Sequence, residues 1–345
     1  MDLEPVVVAV DGGGTKTDAV ALTLDGTLLA HRRGPSSSPQ QLGLERSVAV
    51  VDALVTAVAS GRPVRRTELY LSGIDLPREH AAYTAAIAGL PWAANSLVDN
   101  DLFALLRAGT DAPNALAVVC GTGSNAVGVR SDGASARFAA LGHISGDWGG
   151  GSGLGAEALW HAARDEDGRG PRTALTAVVR EGTGVASIAE LIERLHFGEF
   201  ESDRLSTLAP AVFAAADAGD AVARSIVERQ ADEVVAYVRA CVERLDLADA
   251  AIPVVLGGGV LQAGNALLDT RIAAGIADVA PHARLVTLAH RPIVGAALLA
   301  LSSAGATPDA LARARTAVAE ATEEKADGRP TRAPRSFLTG LLRDR

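Results

Sequence analysis

Cysteines, aromatic side chains and basic charge are all scarce in this chain of 345 residues. Its two cysteines, Cys120 and Cys241, are far apart and form no CxxC pair, which excludes a disulfide framework and argues against a clustered zinc or iron–sulfur site. Aromatic residues make up 3% of the chain, and the formal net charge is −9. A nucleic-acid-binding protein needs a basic face or stacking aromatics, so we expect no nucleic-acid partner.

Long apolar runs and export signals are missing as well. The longest apolar runs, such as residues 292–301, are shorter than the ~20 residues that cross a bilayer. The chain opens with two acidic residues among its first five, where a signal peptide carries basic ones. We therefore expect a cytoplasmic protein with no membrane contact.

What the chain does contain is a pattern that occurs twice. A valine-rich run at 6–10, a glycine loop, a second apolar run and the turn Asp25-Gly26 are followed later by a similar series, which starts at 115–120 and includes Asp132-Gly133. Apolar runs separated by Asp-Gly turns are typical of antiparallel strands. Because the length suits about two domains, the duplication predicts two α/β units whose glycine loops face each other across a cleft.

The first loop reads Asp11-Gly12-Gly13-Gly14-Thr15-Lys16-Thr17. Successive glycines let backbone amides point at anionic oxygens, while the hydroxyls and the lysine add donors and a positive charge. Asp11 is placed to hold a magnesium ion through water beside the phosphates. A flexible glycine hairpin is the plain alternative, but donors, cation and carboxylate together favour phosphate binding. The expected nucleotide contacts are Asp11, Gly13, Gly14, Thr15, Lys16 and Thr17.

The second loop, Gly121-Thr122-Gly123-Ser124-Asn125-Ala126, formally matches the dinucleotide fingerprint GxGxx[GA]. That fingerprint opens a helix, whereas a strand pattern continues here, so we reject dinucleotide binding. A second phosphate loop, with Thr122, Gly123 and Ser124 as contacts, is favoured over a plain turn. Gly257-Gly258-Gly259 follows a buried strand and suits the close approach of a flat ring or a phosphate, so it is included among the expected cofactor contacts.

Three aspartates are candidates for chemistry on an alcohol. Asp101 lies at the start of a helix, where capping is the ordinary role, Asp147 lies in a glycine-dense loop, and Asp75 is a weaker candidate. A kinase needs one carboxylate to accept the proton of an alcohol and others to orient substrate hydroxyls, and the residue pattern alone leaves the division of roles open. The seven histidines form no metal-binding pair, so we expect none of them to bind a metal. His143, which lies beside the glycine-dense loop, is expected to line the site.

Taken in order, these motifs resemble a known set. Asp11 to Thr17, Asp101, Gly121 to Asn125, and Gly257 to Gly259 with Pro292 to Ala297 resemble the five motifs of the sugar kinase, heat-shock chaperone and actin superfamily. More closely, the chain is similar to the BadF/BadG/BcrA/BcrD ATPase family, in its N-acetylglucosamine kinase branch. The resemblance covers about residues 5–303.

The resemblance implies an α/β fold of two actin-like, ribonuclease H-like domains, each with a mixed five-stranded sheet flanked by helices. The expected first domain is 1–113, with 292–306 packing back onto it, and the second is 114–291, followed by a polar C-terminal tail over 307–345. The resemblance also implies ATP and Mg²⁺ as cofactors, an amino sugar as the small-molecule substrate, and a homodimer.

Roles for site residues follow from the same resemblance. Asp101 matches the catalytic base, while Thr15 and Thr122 match contacts to the ATP phosphates. The resemblance implies substrate contacts at Ser124, Asn125, Gly142 and Asp147. The residue pattern adds His143, Gln40 and Asp75 to the expected substrate contacts.

One departure from the family concerns the loop after the third strand, where an asparagine usually reaches a sugar hydroxyl. This chain has Ser36-Ser37-Ser38-Pro39-Gln40 there, so we expect Gln40 or a serine to substitute. N-acetylglucosamine, glucosamine, another amino sugar and a cyclitol all stay open as substrates.

Other functions fit the sequence less well. An ATPase that activates a 2-hydroxyacyl-CoA dehydratase needs interface cysteines for an iron–sulfur cluster, whereas Cys120 and Cys241 fall in a buried strand and a helix. A sugar-sensing regulator usually carries an added DNA-binding module, and with only residues 1–5 before the first strand we expect none. An actin-like filament would have no use for the glycine-dense loop at 142–153.

Overall fold

The computed structural model describes residues 3–323, and residues 6–100 contribute the five strands of a mixed sheet. Its strands are β1 Val6–Gly12, β2 Lys16–Leu22, β3 Leu28–Pro35, β4 Val64–Leu71 and β5 Ser96–Asn100. The order is β3-β2-β1-β4-β5, with antiparallel neighbours among the first three and with β4 and β5 parallel to β1. The valines of β1 are at most 1% exposed because both faces of the sheet are covered.

A second sheet repeats this plan. Its strands are β6 Ala115–Cys120, β7 Ser124–Val129, β8 Ser135–Arg137, β9 Pro253–Gly257 and β10 Arg284–Thr287. The order is β10-β9-β6-β7-β8, again an antiparallel meander with two parallel strands beside its first strand. The two sheets confirm the expected α/β class and the duplication.

Six helices accompany the first sheet: α1 Pro39–Leu42, α2 Leu44–Ala59, α3 Pro77–Ile87, α4 Asp101–Gly109, α11 Pro292–Ser303 and α12 Pro308–Thr322. α11 packs on α4 and β1. The two helices cross closely, since a Cβ added at Gly295 would lie 1.9 Å from the Ala104 carbonyl oxygen. Only glycine permits this approach, which fixes the helix that begins with Asp101. The domain boundaries near residues 113 and 291 stay a prediction.

The segment after residue 306 differs from the polar tail that the sequence predicts. Residues 308–322 form α12, which buries Ala310, Ala314 and Val318 at intervals of one helical turn. Small alanines carry most of this apolar face, so the composition conceals its periodicity. Arg313 Nη1 also donates to Asp25 Oδ2 at 2.9 Å in the turn between β2 and β3. Residues 324–345 of the predicted tail lie outside the described residues.

Another six helices belong to the second half of the fold: α5 Gly150–Glu166, α6 Leu175–Thr183, α7 Ile188–His196, α8 Ala209–Asp217, α9 Ala221–Leu245 and α10 Ala266–Val279. α9 crosses β6, β7 and β8 and also contacts α10. Its buried face includes Val234, Val238 and Val242. This long helix therefore supports the strands on both sides of the second glycine loop. Across residues 3–323, no helix has both the length and the apolar character to span a bilayer.

Candidate active site

The first glycine loop connects the carboxyl end of β1 to β2. The Gly13 amide donates to the Lys16 carbonyl at 2.9 Å and closes the turn. Gly12 has no room for a side chain, because an added Cβ would lie 2.3 Å from Ser37 Oγ and 2.5 Å from Leu71 Cδ2. Gly14, Thr15 and Lys16 form the exposed tip. The predicted phosphate contacts at the tip are therefore accessible.

Thr17, which was also expected to contact ATP, has a different role. Its side chain is fully buried, and its hydroxyl donates to the Pro35 carbonyl at 2.7 Å and lies 2.8 Å from Ser37 Oγ. Because these bonds fasten β2 to the segment that follows β3, Thr17 is not available to a nucleotide. The prediction for Thr17 is corrected accordingly.

Asp11 lies on β1 immediately before the glycines and is half-buried. Burial raises the pKa of its carboxyl group well above the ordinary value, and the nearby charges of Asp101 and Asp18 raise it further. Lys16 and Arg291 act in the opposite direction. Three carboxyl groups and two cations therefore lie near one another at the end of β1, and Arg291 was not singled out from the sequence.

Asp101 is the first residue of α4, and the preceding Asn100 caps the helix. Asn100 Oδ1 accepts the Leu102 amide at 3.0 Å. Burial raises the pKa of Asp101 to about 6, although backbone amides at the helix start lower it. A carboxylate with this pKa is ionised near neutral pH and is still basic enough to accept a proton from an alcohol in a transition state.

Asp75 lies where three side-chain amides converge. Its Oδ1 accepts from Asn100 Nδ2 at 2.9 Å and from Asn125 Nδ2 at 3.2 Å, while its Oδ2 accepts from Gln40 Nε2 at 3.2 Å. Burial raises the pKa of Asp75 to about 7, with further contributions from Asp101 and Glu79. Three residues expected to contact substrate are therefore brought together: Gln40, Asp75 and Asn125.

The second glycine loop is held by the start of α5. The Gly151 amide donates to the Gly121 carbonyl at 2.8 Å, and the Ser152 amide donates to the Thr122 carbonyl at 2.9 Å. Thr122 and Gly123 are exposed, as phosphate contacts must be.

Ser124, in contrast, is 9% exposed, and its hydroxyl donates to Cys120 Sγ at 3.4 Å. The hydroxyl is thus directed into the protein, which corrects the expectation that it donates to substrate.

The glycines after β9 have packing reasons of their own. A Cβ at Gly257 would lie 2.7 Å from Leu105 Cδ1, and one at Gly258 would lie 2.4 Å from the Cys120 carbonyl oxygen. Gly258 also has φ +88°, a left-handed conformation that favours glycine. Because Gly257 and Gly258 have no side chains, β9 can lie close to α4 and to the second glycine loop. An added Cβ at Gly259 would meet no atom within 4 Å.

The loop between β8 and α5 carries the remaining expected substrate contacts. Gly142, His143 and Ser145 belong to one exposed turn of 3₁₀ helix over Gly142–Ser145. Asp147 follows this turn and is bonded through both carboxylate oxygens. Tyr237 OH donates to Asp147 Oδ1 at 2.8 Å, and the Ser145 hydroxyl donates to Oδ2. Asp147 is thereby held in one orientation at the edge of the loop.

Sequence reasoning missed two residues of α9 that support the site. Gln230 Oε1 accepts the Gly150 amide at 2.8 Å, and Tyr237 holds Asp147. The two residues are two helical turns apart and lie on the same face of α9. A signal was present, since both are polar or partly polar residues at core-facing positions of an otherwise apolar stripe.

Contacts between the two sheets complete the arrangement. Arg137 of β8 pairs with Asp99 of β5 at 3.0 Å and also donates to the Ile74 carbonyl at 3.3 Å. Together with the bond between Asp75 and Asn125, these contacts join the two sheets next to Asp75, which is close enough to Asp101 for that charge to raise its pKa. The structure thus combines two glycine loops, which offer backbone amides, with the carboxyl groups of Asp101 and Asp11, which differ in their surroundings.

This order of loops and acids agrees with a family comparison. The model of the BadF/BadG/BcrA/BcrD ATPase family matches residues 8–300 of the chain. This protein belongs to that family.

Two curated relatives match most of the chain. N-acetyl-D-glucosamine kinase of Dictyostelium discoideum is 27% identical over 316 residues, which are 86% of this chain and 98% of the relative. N-acetylmuramic acid/N-acetylglucosamine kinase of Clostridium acetobutylicum is 28% identical over 268 residues, which are 76% of this chain and 88% of the relative.

Solved structures agree on the architecture. A Chromobacterium violaceum protein provisionally named an N-acetylglucosamine kinase superposes with a TM-score of 0.68 at 27% identity, covering 86% of this chain and 99% of that one. A ROK family glucokinase from Streptomyces griseus, solved with glucose and AMPPNP, has a TM-score of 0.52 at 17% identity and covers 86% and 98% of the two chains. This second similarity concerns the fold alone.

Within this ATPase family, a cluster-bearing activator is disfavoured by the cysteines. Cys120 and Cys241 are both free and buried, and burial raises the pKa of each thiol to about 12. Neither thiol is therefore presented as a thiolate for a shared metal cluster.

Proposed function

We propose that this family member is an ATP-dependent kinase that transfers the γ-phosphate to a hydroxyl of an amino sugar, with Asp101 as the general base. The observation that carries the proposal is the position of Asp101, a carboxylate with a raised pKa at the start of α4 and close to Asp11. The named kinases among the relatives support the same reaction class.

The proposed reaction is an in-line transfer. Asp101 accepts the proton of the acceptor hydroxyl while the hydroxyl oxygen bonds to the γ-phosphorus and the bond to the β-phosphate oxygen breaks, so that ADP leaves. The backbone amide at Gly14, with Lys16 and Thr15, would bind phosphate oxygens from one side, whereas the Gly13 amide is taken by the Lys16 carbonyl. Thr122 and Gly123 would bind them from the other. Such preorganised donors stabilise the charge that develops in the transition state.

Asp11 fits the requirements of a magnesium ion that is bound chiefly to nucleotide. Its carboxylate is a hard oxygen ligand, and nearby Asp101 and Asp18 raise its pKa in a way that a cation would counteract. Within residues 3–323, no group of three or more His, Cys, Asp or Glu side chains is arranged to hold a metal. An ion here would therefore take its other ligands from water and phosphates, as Mg²⁺ commonly does. When bound, it supplies positive charge that neutralises the phosphates.

The sugar would lie between Asp101, Asn125 and Asp147. Gln40, which with the serines before it is a candidate substitute for the family's asparagine, donates to Asp75 and to Glu79 Oε1 at 3.1 Å. Its amide nitrogen is thus shared with two carboxylates of the protein. Because Gln40 is bonded to the protein in this way, it does not single out one sugar. We therefore propose the amino-sugar class and leave the individual acceptor to experiment.

A coupled ADP-release assay tests the reaction class. Glucosamine, N-acetylglucosamine, N-acetylmuramate, glucose and an aminocyclitol are compared at the same concentration with ATP and Mg²⁺. We expect an amino sugar to give the highest rate. The proposal fails if no acceptor raises ADP release above the rate with ATP alone.

Asp101→Asn tests the base. An amide cannot accept the proton, so we expect turnover to fall by about 100-fold or more, the range of general-base catalysis, with ATP affinity unchanged. Calorimetric titration with a non-hydrolysable ATP analogue supplies the affinity. Turnover at the wild-type rate would refute the role of Asp101.

We also propose that the protein acts as a cytoplasmic homodimer. Its buried free thiols suit a reducing compartment, and the dimer rests on the family resemblance. Light scattering after size-exclusion chromatography tests the dimer, since one chain has a mass of 35.2 kDa. A monomer mass at micromolar concentration would contradict it.

A further inference from the structure

We infer that Asp75 is a positioning residue, which ties the helix of the base Asp101 to the substrate loop of the second sheet. This inference rests on the proposed function and deepens it, because it changes the role expected for Asp75 from substrate contact to support. Asp75 would act through Asn100 and Asn125 and would not touch the reacting atoms.

Asp75 is itself held firmly at the start of α3. Its own amide and that of Leu76 donate to Glu79 Oε2 at 2.9 and 2.8 Å, so the Glu79 side chain caps the start of the helix. The carboxylate is thus carried by a capped helix start. It can therefore serve as a fixed acceptor for side chains that arrive from other elements.

The two asparagines bonded to Asp75 are each held at both ends of the amide. Asn100 donates to Asp75 through Nδ2 and accepts the Leu102 amide through Oδ1. Asn125 donates to Asp75 through Nδ2 and accepts the Ala126 amide through Oδ1 at 2.7 Å. In its ionised form Asp75 can only accept, so it dictates which way each amide faces. A neutral amide in place of Asp75 can also donate, so it would fix the orientation of the two asparagine amides less strictly.

The position of these bonds explains why they matter for the reaction. Asn100 caps α4, so a change in its side chain moves the helix turn that carries Asp101. Asn125 belongs to the second sheet and follows the exposed phosphate loop. One carboxylate therefore sets the relation between the base and the substrate loop. Misplacement of a reacting group by about 1 Å can reduce turnover by about 100-fold.

The experiment is a double-mutant cycle of Asp75→Ala and Asn100→Ser on kcat, with KM measured for both substrates. Serine retains the helix cap but is too short to reach Asp75, so Asn100→Ser removes the bond and keeps the helix. We expect Asp75→Ala to lower kcat by about 10- to 100-fold, with little change in the KM for ATP. The kcat of the double variant should be no lower than that of Asp75→Ala, because the bond between Asn100 and Asp75 is already lost in that single variant.

Asp75→Asn is the conservative variant. Its carbonyl oxygen can still accept from Asn100 and Asn125, so kcat should recover to within about 5-fold of wild type, roughly the loss of one hydrogen bond. Asp249→Asn is the matched control, because Asp249 is exposed just before β9 at the opposite end of the strand from Gly257. Its kcat should equal that of the wild type.

The outcomes separate this inference from the proposed function. Activity of the wild type reports the proposed function in the same assay. If the wild type is active but the two losses are additive, or if Asp75→Ala raises only the KM for the sugar, Asp75 is a substrate ligand and the inference is wrong. Should Asp75→Ala fail to fold, Asn100→Ser decides alone. A wild-type kcat in that variant would overturn the inference.

Discussion

The close approach of Gly150 to Gly123 offers a sharp test of how the second glycine loop is held. Gly150 has φ +66°, and an added Cβ would lie 2.5 Å from the Gly123 carbonyl oxygen, against ordinary contact at 3.4 Å or more. The loop would have to move by roughly 0.9 Å, the difference between these distances. We expect Gly150→Ala to destabilise the fold by about 1–2 kcal/mol through the left-handed backbone and by about 1–3 kcal/mol through overpacking.

The effect on activity follows from the same displacement. A shift of about 1 Å in a loop that binds phosphate and substrate should lower kcat by about 100-fold. Coupled ADP release at saturating ATP and sugar measures kcat, and urea unfolding measures the free energy of unfolding.

Gly184→Ala is the control, because Gly184 has φ +72° at the end of α6 and no atom within 4 Å of an added Cβ. It should show the backbone penalty alone. The reasoning is refuted if Gly150→Ala and Gly184→Ala have kcat values within about twofold of each other.

Two further predictions concern single polar groups. Tyr237→Phe removes the donor to Asp147, so the KM for the sugar should rise about 10-fold, as expected for the loss of a bond to a charged group. Tyr83→Phe is the control, because it removes only a bond to Ser47 and should leave this KM unchanged. An unchanged KM in Tyr237→Phe would contradict the role of Asp147. Asp101→Asn should also stabilise the protein at pH 8. Folding raises the pKa of Asp101 from 3.8 to about 6, so the ionised carboxylate disfavours the folded state above about pH 6. Asparagine carries no charge and removes this penalty. Urea midpoints should show a gain that shrinks as the pH falls towards 4, and an equal gain at both pH values would exclude this cause.

The strands and loops were accessible from local sequence. β1 and β6 are buried valine- and alanine-rich runs, and each is followed by glycines where the chain turns. Period and turn chemistry depend on neighbouring residues, so they can be read without knowing the fold. The resemblance of five motifs in order then added the two-domain architecture.

Helix α12 and residue Thr17 show the limit of such reading. Alanine is compatible with both exposed and buried helix faces, so the burial of Ala314 depends on the sheet beneath it. Thr17 stands in a loop motif, yet its alternation along β2 turns the hydroxyl towards Ser37. In both cases the neighbour that decides the role comes from a distant part of the chain.

The sequence by itself determined the class of fold, the two glycine loops and the set of aspartates available for chemistry, because these depend on residue type and short spacing. Only the tertiary structure decided what each acid can do. Asp101 acquires its raised pKa from burial, and Asp75 gathers amides from three separate elements. Burial and hydrogen-bond partners arise when remote segments pack together, which is why residue type alone left the roles of the aspartates open.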